Sequence, residues 1–245
     1  MADLILPDPR FEMPELFEPG VKPFGDVIID RSHWSGEHTN FAYIATDATN
    51  LANKNESLTY INNTFTTVYK GEQVAAVNYY GNQDDYILSA KPYLPSSGDW
   101  TLTLKIHKKF NTTSEYIFGQ YAASQAGRSL LRYMSYGSGL YYYNGSFVNT
   151  FTFASGSVPY GESVTINLRR KGNQWDMFLN GEKATVTITN SQSTYQVETA
   201  FFGANGGIGD QLRGFGSLAK IDTIAFSDEQ IQSLHKNPYR FLIPA

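Results

Sequence analysis

From residue 99 to 109 the chain reads DWTLTLKIHKK, an alternation with a period of two. Trp100, Leu102, Leu104 and Ile106 fall on one face, and Thr101, Thr103, Lys105 and His107 on the other. Successive side chains of a strand point to opposite faces, so the pattern specifies a strand with its apolar face on a core and its polar face in solvent. It returns at 162–170, with Val164, Ile166 and Leu168 inward, and at 174–179, with Trp175, Met177 and Leu179 inward. Lys171-Gly172-Asn173 turns the chain between these two segments, and Asn180-Gly181 closes a tight hairpin after them. Residues 184–189 follow, with Val186 and Ile188 on the apolar side. Weaker strands are expected at 27–30, 41–46, 64–70, 86–89, 115–121, 129–135, 140–143, 147–153, 198–202 and 219–226. About a dozen short strands with frequent turn signals specify an antiparallel sandwich or barrel. The absence of a sequence repeat argues against a propeller or solenoid.

Composition narrows the function classes. The 245 residues suffice for one large all-β domain with a core that needs no staple. Charged residues are 17%, below the usual share of about 25%, so much of the surface is Thr, Ser, Asn, Gln, Gly and Tyr. A net charge of −4 argues against a nucleic-acid binder. Without cysteine there are no disulfides, thiol nucleophiles or thiolate metal sites. No apolar run approaches the ~20 residues of a membrane-spanning helix. The start, MADLILP, lacks the basic region of a signal peptide, so none is expected.

Residues 1–30 differ from the rest. They hold five of the 10 prolines and seven acids against two bases. Proline at this density prevents helix and central strand alike. Yet Leu4, Ile5, Leu6, Phe11, Met13, Leu16, Phe17, Val21 and Phe24 are costly to leave in water. The segment reads as an extended arm that packs on its own domain or on a partner, with the sandwich spanning 31–245. One helix is expected near the end. Ser227 caps it, Gln230 completes a capping box, and Asp228 and Glu229 complement the helix dipole. Ile231 and Leu234 share a face, and Asn237-Pro238 stops it. The apolar tail 239–243 is expected to lie across a sheet.

Three stretches carry a family resemblance. DWTLTLKI is similar to an inner-sheet strand of the laminin-G-like branch of the concanavalin A-like lectin/glucanase sandwiches. SVTINLRRKGNQWDMFLNGEKA resembles the family's hairpin with its Asn-Gly turn. GFGSLAKIDTIAFSDEQIQSLHKN resembles its closing strand, Ile-Asp pair and capped helix. Their order over 98–237 supports the match, whereas 40–97 fits poorly and reads as a place for an insertion. PGVKPFGDVIIDRSHWSG at 19–36 and NPYRFL at 237–242 resemble flanks of tailed-bacteriophage virion proteins that carry this sandwich. The resemblance implies a two-sheet antiparallel jelly roll with an N-terminal arm and one short C-terminal helix. It implies a virion protein whose partners are other particle proteins, such as the major capsid protein, and further copies of itself. It carries over no catalytic residue.

The fold also hosts glucanases and polysaccharide lyases, so chemistry must be sought residue by residue. Retaining glucanases of this fold place carboxylates at Glu-x-Asp-x-x-Glu, and no Glu here has Asp two residues later. Asp84 and Asp85 are adjacent, so in a strand they face opposite ways. LKIHKK at 104–109 has a distant likeness to a lyase strand, but Lys105 and His107 read as a solvated face. No nucleophile elbow, zinc-protease or phosphate-loop motif is present. His33, His38, His107 and His235 lack metal-ligand spacing, and His33 and His38 beside Trp34 read as packing.

Two stretches are binding candidates. In Leu140-Tyr-Tyr-Tyr-Asn-Gly, Tyr141 and Tyr143 share a face on which a sugar ring can stack, and Asn144 offers donor and acceptor to hydroxyls. The competing reading buries both faces of this strand. In the glycine-rich stretch 203–214, Asn205 and Asp210 offer oxygens to a ligand or Ca²⁺, against the plainer reading of a connecting loop. The sequence thus favours a non-enzymatic structural protein of a phage particle, a capsid decoration protein held by its arm. A carbohydrate-binding host-attachment module is the alternative, and a glycan-cleaving enzyme the third reading.

Overall fold

A computed structural model describes residues 26–45, 48–62, 64–77, 85–109, 114–121, 128–134, 139–144, 147–153, 159, 161–194, 196–204 and 212–245. Two large antiparallel sheets face one another among these residues. One has seven strands, in the order Phe147–Thr152, Gly139–Asn144, Arg128–Met134, Ser114–Tyr121, Thr199–Phe201, Tyr86–Ser89 and Thr59–Ile61. The other has nine. Its main path runs Glu182–Lys183, Gln174–Leu179, Ser163–Lys171, Trp100–Lys108, Gly214–Asp222, Glu72–Val77 and Phe65–Tyr69. Ile188–Thr189 joins it on Gln174–Leu179, and Thr39–Tyr43 on Gly214–Asp222. The protein is therefore an all-β sandwich, one of the two architectures the alternation allowed and the one the resemblance implied.

The core between the sheets contains every inward residue expected from the strong segments: Trp100, Leu102, Leu104 and Ile106, then Val164, Ile166 and Leu168, then Trp175, Met177 and Leu179. Two aromatic stacks bridge the sheets. Phe41 lies on Phe201 at 4.3 Å, and Tyr142 on Trp175 at 5.0 Å. The Asn180-Gly181 turn has positive φ at both positions, 52° and 78°, the backbone a two-residue hairpin demands. Val186 departs from expectation. It is exposed, because only Ile188–Thr189 of that segment pairs with the sheet.

The C-terminal helix spans Asp228–Lys236, with the Ser227/Gln230 capping box formed and Ile231 and Leu234 buried. Tyr239, Phe241 and Leu242 pack with Ala42, Ile44 and Leu218 on the outer side of the nine-stranded sheet, and Leu242–Pro244 pairs with Val27–Ile29. That sheet is thus covered on both faces. Lys105 and His107 are consequently buried rather than solvated, which corrects the sequence reading. Lys105 Nζ lies 3.0 Å and His107 Nε2 3.4 Å from Glu72 Oε2, and the Tyr239 hydroxyl donates to Glu72 Oε1. Burial pushes the Glu72 carboxyl up, but His107, Lys105 and Tyr239 outweigh it and hold it at about 2.

The same polar layer continues along the sheet. Arg169 reaches Asp176 Oδ2 at 2.6 Å and Asp228 Oδ1 at 2.7 Å, tying the helix start to the strands beneath. Lys183 Nζ lies 3.0 Å from Asp176 Oδ1. Lys220 pairs with Asp222 between the rings of Phe226 and Phe241. Buried charges are tolerated only when paired and hydrogen-bonded, which is how this layer is built.

Candidate functional site

A pocket of about 310 Å³ opens at the margin of the sandwich. It lies between the start of strand Thr39–Tyr43 in one sheet and the residues after strand Tyr86–Ser89 in the other. A polar hairpin, Thr49–Asn50 with Asn53–Ser57, forms a third wall. Leu51 N donates to Ala42 O at 2.8 Å, which fastens the hairpin to the domain, and Leu58 N to Ala48 O at 2.7 Å, which closes its base.

Asn50 holds the pocket together. It is buried, and its Oδ1 accepts from Ala42 N at 3.2 Å and Ala52 N at 3.0 Å. Its Nδ2 donates to Tyr93 Oη at 3.0 Å and to Glu56 Oε2 at 3.3 Å. One carboxamide therefore fixes the backbone on one side and two functional groups on the other. The Tyr93 ring is anchored in turn, 4.6 Å from the ring of Phe41.

Glu56 is the one carboxylate among the described lining residues. Ser89 Oγ donates to its Oε1 at 2.9 Å, and Lys91 Nζ lies 3.4 Å from its Oε2. Burial pushes this carboxyl up. Hydrogen bonds with Tyr93, Ser89 and Asn50, with the Lys91 charge, overcome that and leave it lower than an ordinary Glu. The Tyr93 phenol moves the other way, raised by burial and by Glu56. At neutral pH the pocket therefore presents a fixed anion and a protonated phenol. Arg31 stands at the mouth, its Nη1 donating to Thr39 O at 2.5 Å and Gly36 O at 3.3 Å. Asn40 and Asn53 add exposed carboxamides.

The sequence-predicted binding residues lie elsewhere. Tyr141 is half-buried on the seven-stranded sheet, in register with Arg132 and Thr150, and the Arg132 guanidinium sits 4.9 Å over the Tyr116 ring. Its neighbour Tyr142 is fully buried against Trp175. Tyr143 pairs with Leu130 and Val148 and keeps the parity of Tyr141. Asn144 is in register with Ser129 and Phe147. Asn205 and Asp210 lie outside the described residues, as do the apolar arm residues from Leu4 to Phe24. Among the described residues no group of three His, Asp or Glu gathers to hold a metal ion, and no helix is long and apolar enough to cross a membrane.

Sequence reasoning missed the pocket. The second strand of its hairpin, Asn53–Ser57, reads NKNES, polar throughout, inside the stretch that fits the family pattern poorly. The one usable signal was an acid, Glu56, among asparagines in an otherwise low-charge chain.

No family model and no curated protein matches the chain. Solved structures do. Domain 4 of AbnA, a GH43 extracellular arabinanase from Geobacillus stearothermophilus, in complex with arabinotriose, aligns with a TM-score of 0.63 at 13% identity, over 80% of this chain and 98% of that one. The botulinum neurotoxin serotype D binding domain aligns at 0.61 with 11% identity, over 81% of this chain and 50% of that one. Trypanosoma rangeli sialidase aligns at 0.60 with 8% identity, over 82% of this chain and 33% of the enzyme. At such identities the likeness establishes the fold alone, a β-sandwich.

Proposed function

We propose that the protein is a non-catalytic carbohydrate-binding module that holds its glycan in the pocket around Glu56. The observation that carries this reading is the geometry around Glu56, whose carboxylate is held at the pocket wall by Ser89 at 2.9 Å, Asn50 at 3.3 Å and Lys91 at 3.4 Å. A carboxylate kept ionised by hydrogen bonds is a permanent acceptor for sugar hydroxyls. It is also the opposite of a glycosidase acid, whose pKa must be raised and which works with a second carboxyl across the scissile bond. The flanking carboxamides supply both donors and acceptors, the usual complement to neighbouring hydroxyls. The complex of the arabinanase domain with arabinotriose supports a glycan role for a sandwich of this shape.

A glycan array probed with the purified protein tests the proposal. The expected result is binding to a defined subset of glycans, lost with Glu56→Gln, and no release of reducing ends or unsaturated products. Absence of binding across the array overturns the binding role, and turnover overturns the non-catalytic one.

The flanking sequence supports a carrier. On this reading the proline-rich segment ahead of strand Val27–Ile29 attaches the module to a phage particle, where many copies raise weak contacts to useful avidity. Nine large apolar residues in a proline-rich arm favour it. A chain beginning at Asp26 is expected to fold but fail to join particles. Undiminished incorporation refutes the anchor, and so does loss of folding.

A further inference from the structure

The reading of the pocket as a glycan site leaves the kind of sugar open, and Arg31 bears on that choice. Its guanidinium is fixed by one nitrogen only, Nη1, which donates to the carbonyl oxygens of Thr39 and Gly36. Among the described residues Nε and Nη2 donate to no protein group, and Arg31 forms no ion pair. The side of the fork formed by Nε and Nη2 is thus open at the mouth of the pocket, and its orientation is set by the backbone behind it. Two parallel N–H donors in that arrangement match the two oxygens of a carboxylate.

The charge balance points the same way. Arg31, Lys91 and Glu56 are the charged side chains of the lining. Glu56 is matched by Lys91 at 3.4 Å and by hydrogen bonds from Asn50 and Ser89. One fixed cation remains, and guanidinium does not lose its proton in proteins. The volume, about 310 Å³, lies at the low end of small-ligand sites and accommodates one or two sugar rings rather than a long chain.

We infer that the pocket selects a sugar bearing a carboxylate, with that carboxylate on the open edge of Arg31 and ring hydroxyls on Glu56 and the neighbouring carboxamides. This rests on the glycan reading above and deepens it. The ligand is a uronic acid unit or another carboxylated sugar at or near the end of a glycan.

Matched pairs of methyl glycosides decide the matter: glucuronide against glucoside, galacturonide against galactoside, each titrated into the intact protein and followed by calorimetry and ligand-observed NMR. The expected result is that at least one acid binds ~10-fold or more tightly than its neutral twin. Arg31→Gln is expected to abolish that preference, so that each acid and its neutral twin bind within ~2-fold of one another. Arg31→Lys is expected to restore it only partly, since an ammonium lacks the fork. Arg31 is exposed, and unchanged melting of both variants verifies that they are folded. Equal affinity within every pair, or a preference that survives Arg31→Gln, overturns the inference. If neutral and acidic sugars bind alike and Glu56→Gln removes both, the glycan reading stands and the acid preference falls. If no sugar of either kind binds, both fall.

Discussion

Tyr142 stacks on Trp175 across the interior, ring centroids 5.0 Å apart and planes 29° from parallel, one residue from each sheet. Trp175 in turn meets Trp100 edge-on at 5.3 Å. Adjacent to this buried ring, Tyr141 is half-buried on the opposite face of the same strand. The pair offers an internal control. Tyr142→Ala is expected to cost ~3–5 kcal/mol in urea unfolding, as truncation of a buried aromatic does, whereas Tyr141→Ala should cost less than ~1 kcal/mol. Similar costs would mean that the facing of this strand is wrong. Tyr141→Ala should also leave sugar binding at the Glu56 pocket unchanged.

Acid should loosen the protein through its polar layer. The Glu72 carboxyl is held at about 2 against an ordinary 4.5, and Asp176 at about 2 against 3.8. A carboxyl with a lowered folded pKa binds its proton less readily when folded. The stability it contributes is present above the unfolded value and is lost as pH falls through the window from about 4.5 to about 2. Melting temperature is therefore expected to fall steeply across that window. Glu72→Gln should lower stability at pH 7 and flatten the acid limb. An acid limb identical to wild type would exclude Glu72 as its source.

Gly216 sits where a side chain has no room. A Cβ there would lie 2.4 Å from the buried ring of Phe202. Gly216→Ala is expected to destabilise by ~1–3 kcal/mol, the usual cost of overpacking, in a chemical denaturation series. A neutral result would show that Phe202 moves aside freely.

Asn50→Ala removes the carboxamide that joins the Ala42 and Ala52 amides to Tyr93 and Glu56. A stability loss of ~1–3 kcal/mol is expected from the unsatisfied buried groups, together with loss of sugar binding. Binding at wild-type affinity would show that the pocket does not depend on this scaffold.

The parts of the fold that were legible in sequence are those set by local repetition. Trp100 to Ile106 and Val164 to Leu168 announce their faces through period two, and Ser227 and Gln230 announce a helix start three residues apart. Lys105 and His107 looked solvated because alternation gives a residue its face but not what covers that face. Tyr239, some 130 residues later, covers Lys105, and the ring of Tyr69, from a strand well before it, meets His107 edge-on at 5.4 Å. The pocket was illegible for the same reason. Asn50 draws its partners from positions 42, 52, 56 and 93, which share no period.

The pairing of Val27–Ile29 with Leu242–Pro244 has a mechanical consequence. The strands are antiparallel, and Ala245 N donates to Asp26 O at 3.0 Å, so residues 26 and 245 leave the sandwich at the same point. Tension applied between them peels this short ladder one rung at a time instead of shearing all its rungs together. Tension applied between residue 26 and a ligand held at Glu56 takes a different route. Arg31 and Thr39, which line the pocket, follow that strand by two and ten residues, and Thr39 opens a strand of the nine-stranded sheet. A module tethered through residue 26 would thus carry load to its pocket along a short stretch of chain, and its far end would feel little of the pull.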